Sequence, residues 1–403
     1  MMPILKWLLR IVGGLLGVAG AALVTLLLVI WVADPTVLRN MLFGQLPTDP
    51  TGVEKSQPQE AVPGASAAAL SLEPAQDIAA EGLAAAEAYA TATESVALLV
   101  WHRGALRYEK YWAGFGPETR TNPNSMHKTV LALLVGAAVA DGYIDSADAP
   151  AAKWLTEWQD DARREVTVRE LLQMASGLEI PVFGTWKSAK ILLGSDLAGG
   201  VLALQSAEPH GSRFQYSNAS SQLLTILLER ATGQRYSSYL SERLWKPLGA
   251  ADAALWMDRE GGLPRGFCCI FATGRDWLRV GLLILERGRV GERQLIPAAW
   301  IDEMLTPSPR NPNFGMHVWL GSPPQQERPY NDYSIKAFHS EPFAASDVVF
   351  IDGFGGQRVY VVPSLELIIV RTGKSQTDWD DARLPNALIR AIRQAPFAEE
   401  VKP

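Results

Sequence analysis

The chain is poor in cysteine and histidine, with two and five in 403 residues, and neither type sits where its most frequent roles require. Cys268 and Cys269 are adjacent, so even joined to each other they cannot staple distant parts of a fold. They read as small buried hydrophobes beside Phe267 and Ile270, and they leave the redox compartment open. His102, His127, His210, His317 and His339 are scattered without His-Glu-x-x-His spacing, so no metal and no other cofactor is expected. There is no basic excess: 37 Lys and Arg face 43 Asp and Glu, a net charge of -6, which argues against nucleic acid as a partner. No Gly-x-Ser-x-Gly occurs, which disfavours an α/β-hydrolase nucleophile elbow. No internal repeat is evident, and strands do not alternate with helices as a doubly wound parallel sheet requires.

What is present begins with one long apolar run. Ile11 to Ala33 is about 23 residues without a charge, enough for a helix to cross a ~30 Å hydrocarbon core. Lys6 and Arg10 precede it and Asp34-Pro35 follows, which puts the N-terminus in the cytoplasm and the rest on the periplasmic side. A cleaved signal peptide has a shorter apolar region, ~7–15 residues, so residues 1–33 are read as an uncleaved transmembrane anchor. Trimming near Trp31-Val32-Ala33 to a secreted form stays open. Residues 34–74, rich in Pro, Ala, Gln and Ser, predict a flexible tether, and the catalytic unit is expected over 75–398.

Within that unit the pattern predicts a helix over 75–92 and a hairpin of Val96–His102 and Ala105–Trp112 turning at Arg103-Gly104. A broad apolar stripe at helical period from Ser125 to Ala140 predicts a buried helix. Further helices are expected over 167–174, 220–232, 239–245, 272–286, 297–304 and 384–393, with late strands over 348–351, 357–362 and 365–370. Strands at both ends with helices between them predict an α/β fold of the α+β type. A central antiparallel sheet is flanked by helices and carries a mostly helical subdomain over roughly 140–300.

Ser125-Met126-His127-Lys128 opens the apolar helix. Serine needs a base to become nucleophilic, and a lysine three residues on lies on the same helical face with its amine in reach. Leading N–H groups of a helix also favour negative charge forming near Ser125. Alone, the tetrapeptide is equally what a helix cap followed by a surface lysine looks like. Tyr216-Ser217-Asn218 precedes another apolar helix, where a tyrosine beside a lysine can relay protons and an asparagine amide can bridge. As a loop it is also an ordinary cap. Asp352-Gly353-Phe354-Gly355-Gly356 lies at the start of a late strand, where glycine permits close backbone approach or a simple turn. His127 is read as a partly exposed packing residue. Phe183, Trp186 and Trp256 are either core or the lining of a pocket.

In this order the three pieces resemble the serine β-lactamase and penicillin-binding-protein superfamily, whose signature set begins with Ser-x-x-Lys. The likeness is to the class C β-lactamase-like branch, which includes esterases, D-alanyl-D-alanine peptidases and 6-aminohexanoate-dimer-hydrolase-like enzymes. It spans Val96 to Val370 and takes in Thr167–Leu178, Trp245–Gly249 and Thr273–Leu278. The resemblance implies acylation of Ser125 with Lys128 as base, and Tyr216 passing protons to the leaving group and activating the deacylating water. Asn218 fills the Tyr-x-Asn position, and the backbone N–H groups of Ser125 and Phe354 form an oxyanion hole. Penicillin-recognising members carry Lys or His two residues before the glycine of the third motif, whereas Ile351-Asp352-Gly353 has none. An acidic Asp352 is expected to repel a penicillin carboxylate. The expected reaction is therefore hydrolysis of a small ester, amide or peptide-like substrate. A β-lactamase or D-alanyl-D-alanine peptidase is the alternative, and a non-catalytic penicillin- or peptidoglycan-binding sensor is the alternative of another class.

Overall fold

The computed structural model describes residues 2–44, 49–65 and 70–394; the end expected for the catalytic unit, 395–398, lies outside the described residues. A six-stranded antiparallel sheet is the frame. Its strands in chain order are β2 (Ser95–His102), β3 (Ala105–Tyr111), β7 (Trp319–Leu320), β8 (Val349–Gly353), β9 (Gln357–Val362) and β10 (Leu367–Gly373), arranged β3-β2-β10-β9-β8-β7. The first and last strands of the unit thus pair at its centre, β2 against β10. Arg103 and Gly104 both take positive φ, 46° and 81°, the two-residue geometry that matches the twist of the strands they join.

Alternation along these strands divides the core in two. Ala97, Leu99, Val359, Val361, Ile368 and Val370 face one layer, while Leu98, Val100, Tyr360, Val362, Leu367 and Ile369 face the other. The first layer is closed by α7 (Gly274–Leu285), lying so near the sheet that a Cβ on Gly281 would stand 2.9 Å from both Ile368 and Val359. The second is closed by α3 (Ala80–Ala92) and α8 (Arg383–Gln394). Both faces are therefore covered.

The expected 140–300 subdomain needs two corrections. Helix α7 belongs to the central sheet's own packing layer. The region also contains β5 (Ala253–Trp256) and β6 (Ile270–Thr273), which join β1 (Gln59–Val62) and β4 (Arg120–Thr121) in a second sheet, β1-β5-β6-β4. The helical part proper centres on α4 (His127–Ala140), α5 (Trp186–Leu193) and α6 (Asn218–Thr232).

The tether is corrected as well. Its described residues include a helix, α2 (Pro35–Phe43), and the strand β1, which pairs with β5 from Gln59↔Trp256 to Val62↔Ala253. Pro, Gln and Ser mark absent periodicity, but a short edge strand gets its order from backbone bonds to a partner remote in sequence. Ahead of α2, α1 (Met2–Ala33) contains one span, Gly14–Ala33, long and apolar enough to cross a membrane, with a mean hydropathy of 2.6.

Candidate active site

Ser125 lies in a single 3-10 turn, Asn124–Met126, that leads directly into α4. Asn124 starts the turn at φ +52°, its N–H donating to Asn122 Oδ1 at 3.0 Å. The turn presents Ser125 half-buried while Met126, His127 and Lys128 are buried, so α4 continues as an almost wholly apolar helix beneath it.

Lys128 is 2% exposed, and its amine has three oxygens around it: Ser125 Oγ at 3.0 Å, Asn218 Oδ1 at 2.9 Å and the Phe267 carbonyl at 2.6 Å. Burial pushes its pKa down to about 7, against the pull of the Asp352 carboxylate in the other direction. Such an ammonium is easily discharged. Two of its N–H bonds then remain fixed by Asn218 and Phe267, and the lone pair points at Ser125.

Tyr216 comes from the segment preceding α6. Ser217 takes the cap position there, so the Asn218 side chain is free to turn toward Lys128. The Tyr216 ring stacks on Trp319 at 24° and meets Tyr330 and Phe314 edge-on, with Lys128 Nζ 5.0 Å from its centroid. Its backbone is tied to the 330–331 segment: its N–H donates to Tyr330 O at 2.9 Å, and Asn331 Nδ2 donates to its carbonyl at 2.8 Å. Burial, reinforced by Asp352, pushes the phenol well above its ordinary value despite a hydrogen bond with Ser125. It keeps its proton at any physiological pH.

The glycine-rich segment closes the site. A Cβ on Gly353 would lie 2.0 Å from Pro123 O and 3.1 Å from Met126, so β8 abuts the Ser125 turn as only glycine allows. Asn124 Nδ2 donates to the Phe354 carbonyl at 3.1 Å, tying this turn to the serine turn. Gly355 and Gly356 take φ +76° and +85°, and the buried Arg371 donates to both carbonyls. Gly353→Ala is expected to lose about 1–3 kcal/mol of stability through overpacking. It should lose roughly 100-fold in turnover through displacement of the two facing segments. A thermal melt and an ester assay on the same preparation check both.

Asp352 does not face the mouth of the site. Its carboxylate is buried, paired with Arg358 at 2.5 Å and Arg328 at 3.4 Å, and accepts from the Tyr330 hydroxyl at 2.8 Å. Asp381 balances the same two arginines at 2.6 and 2.7 Å. The expected repulsion of a substrate carboxylate is therefore removed: two aspartates and two arginines neutralise one another below the surface. Ile351 packs into the core, so the absence of a cation at that position stands.

His127 is fully buried, not partly exposed. Its Nδ1 bonds the Cys268 carbonyl and its Nε2 bonds the Tyr236 hydroxyl at 2.8 Å. Burial lowers its pKa to about 4, so the ring is neutral, with Nδ1–H donating and Nε2 accepting. It fixes the segment whose preceding carbonyl, that of Phe267, holds Lys128. Cys268 and Cys269 are buried as expected and are joined to each other. Trp256 is buried under the Arg265 guanidinium, whereas Phe183 is 83% exposed and Trp186 41%. Phe267, Trp319, Tyr330 and Asn124 escaped the sequence reading, because a backbone carbonyl and core aromatics carry no local signature.

An antiparallel sheet with helices on both faces, a Ser-x-x-Lys turn against the end of β8 and a tyrosine from the helical side are the marks of the serine β-lactamase and penicillin-binding-protein superfamily. The family model described as Beta-lactamase matches residues 77–394, and the chain belongs to that family. A curated relative, the 6-aminohexanoate-dimer hydrolase of Paenarthrobacter ureafaciens, is 27% identical over 225 residues, 52% of this chain and 56% of that protein. The match thus spans little more than half of that relative's length. Among solved structures, one from Bacillus anthracis assigned as a 6-aminohexanoate-dimer hydrolase superposes with a TM-score of 0.70. It is 19% identical, covering 85% of this chain and 92% of that one. A penicillin-binding-protein homologue from Caulobacter crescentus gives 0.61 at 17% identity, covering 80% and 99%. At these identities the structural likeness speaks for the fold, while family membership and the hydrolase relative support a hydrolase in general terms.

Proposed function

We propose that the protein is a membrane-anchored serine hydrolase that cleaves an ester or amide bond by two-step acyl transfer through an acyl-Ser125 intermediate. The observation that carries this reading is the setting of Lys128: a buried amine with its pKa near 7, two acceptors for its N–H bonds and Ser125 Oγ at 3.0 Å as the third neighbour. Neutral Lys128 takes the Ser125 proton as Oγ bonds to the substrate carbonyl carbon. The carbonyl oxygen gains the electron pair and is met by the backbone N–H groups of Ser125 and Phe354. The pair returns as the bond to the leaving group breaks, and the leaving atom takes a proton through Tyr216. Water then repeats the sequence, giving its proton to the same relay and releasing the acid and the Ser125 hydroxyl.

For substrate, the absence of a cation at Ile351 and the relative named for 6-aminohexanoate-dimer hydrolysis favour an ester or open-chain amide over a β-lactam. Purified protein is expected to turn over p-nitrophenyl butyrate faster than nitrocefin, and the opposite order would reverse the preference. A fluorophosphonate probe followed by intact mass should add one label. Rapid labelling without turnover of any ester or amide points to a sensor, and no labelling of the folded chain points to a binding module. The apolar span Gly14–Ala33 is the anchor in this reading, with the catalytic unit on the periplasmic side.

A further inference from the structure

The chain between anchor and catalytic unit carries an inference that rests on the anchor reading and goes beyond it. One residue, Asp34, separates α1 from α2. Its N–H donates to Ile30 O at 2.8 Å, closing the last turn of α1. Its Oδ1 accepts from the Thr36 N–H at 2.9 Å, capping α2, and its Oδ2 accepts from the Ser195 N–H at 2.9 Å and the Ser195 hydroxyl at 3.2 Å. One turn further along α2, Val37 is buried and the Asn40 amide donates to Leu193 O at 2.8 Å. The segment that receives α2 is itself held from the core: the fully buried Arg265 donates to Ile191 O at 3.2 Å and Gly194 O at 2.8 Å. Arg265 stands two residues before Phe267, whose carbonyl holds Lys128.

The last turn of α2 is apolar and exposed, with the exposed Arg39 one turn before it, its guanidinium turned to Asn40 Oδ1 and the Gln57 carbonyl. Met41, Leu42 and Phe43 are 51%, 54% and 71% exposed, beyond a helix end at which Trp31 is exposed too. Nine helical residues rise only ~14 Å, so these side chains lie within that distance of the end of the span. That is the depth of headgroups, where aromatic residues and amphipathic helices settle.

We propose that α2 is a clamp lying in the bilayer interface, with Met41, Leu42 and Phe43 immersed at the headgroup–acyl boundary. Asp34 and Asn40 bind it to the 191–195 segment, so the catalytic unit sits on the membrane at a fixed attitude instead of swinging on a tether. The occupant of the exposed face is lipid, because the face is continuous with a lipid-spanning helix one residue away.

The test uses the full chain in bilayers of phosphatidylethanolamine and phosphatidylglycerol, spin-labelled singly at Leu23→Cys, Phe43→Cys or Glu292→Cys. Power saturation is compared between oxygen, which concentrates in lipid, and a water-soluble nickel chelate. Labels at 23 and 43 should favour oxygen and the label at 292 the chelate. If 23 favours oxygen while 43 matches 292, the anchor stands and the clamp is overturned. If 23 also matches 292, the anchor reading fails and takes the clamp with it. Broadening at 43 that vanishes on dilution with unlabelled chain assigns the face to a second copy and overturns lipid as the occupant. In parallel, the Asp34→Ala/Asn40→Ala double variant should be cut by proteinase between residues 34 and 57 at least ~10-fold faster, with ester turnover within about twofold, since neither residue touches the site. Unchanged cleavage overturns the clamp.

Discussion

Ser125→Ala is expected to abolish fluorophosphonate labelling and to lower turnover of a p-nitrophenyl ester at least ~10³-fold, leaving only what binding and the oxyanion donors supply. The side chain is half-buried and lies on a surface turn, so its removal opens no core cavity. The melting temperature should therefore hold while activity collapses, and that separation distinguishes a nucleophile from a structural serine. Labelling that persists in the variant would move the nucleophile elsewhere and dissolve the reading of the site.

Lys128→Met should cost turnover about 10²–10⁴-fold, the range for loss of a positioned base, and should remove a pH dependence as well. The base acts when deprotonated, and burial lowers its pKa to about 7. In the parent protein kcat/KM should fall about tenfold per unit below that value and level off above it. Stability carries the complementary signature. The lysine pKa is lower folded than unfolded, so between about 7 and the ordinary lysine value the unfolded chain binds the extra proton. Stability accordingly rises with pH across that window. Lys128→Met lacks this cost and should melt higher than the parent near pH 7, the gap closing toward pH 10. A variant that loses activity and also melts lower would show Lys128 to be a structural partner. His127 and His317, with pKa values lowered to about 4 and about 3, stay neutral and contribute nothing in this range.

Much of the sheet was legible. β2, β9 and β10 are short β-branched and aromatic runs bounded by turns, and a chain that opens and closes with strands can pair them side by side, as β2 and β10 do. Ser125, Lys128, Tyr216 and Asn218 were legible as a set because two are locked by helical spacing and two by motif order. The structure brings all four within bonding reach. Asp352 misled, since a carboxylate beside a glycine-rich turn looks exposed until Arg328, Arg358 and Tyr330 are seen to enclose it. His127 misled similarly: helical geometry turns it away from Ser125, but not whether that direction leads to solvent or to Tyr236.

The sequence by itself determined the apolar span, the strand and helix periods and the Ser125–Lys128 pairing, all of which depend on residues within a few positions of one another. Only the tertiary structure decided the chemistry of that pair. The pKa of Lys128 depends on burial and on the remote Asp352, and its orientation on the Phe267 carbonyl, 139 residues away. The pairing of Asp352 depends on Arg328 and Arg358, and the placement of α2 and β1 on bonds to Ser195 and β5. Local pattern sets which side chains share a face. Desolvation and long-range hydrogen bonds, which set their charge and mobility, exist only once the chain has closed around them.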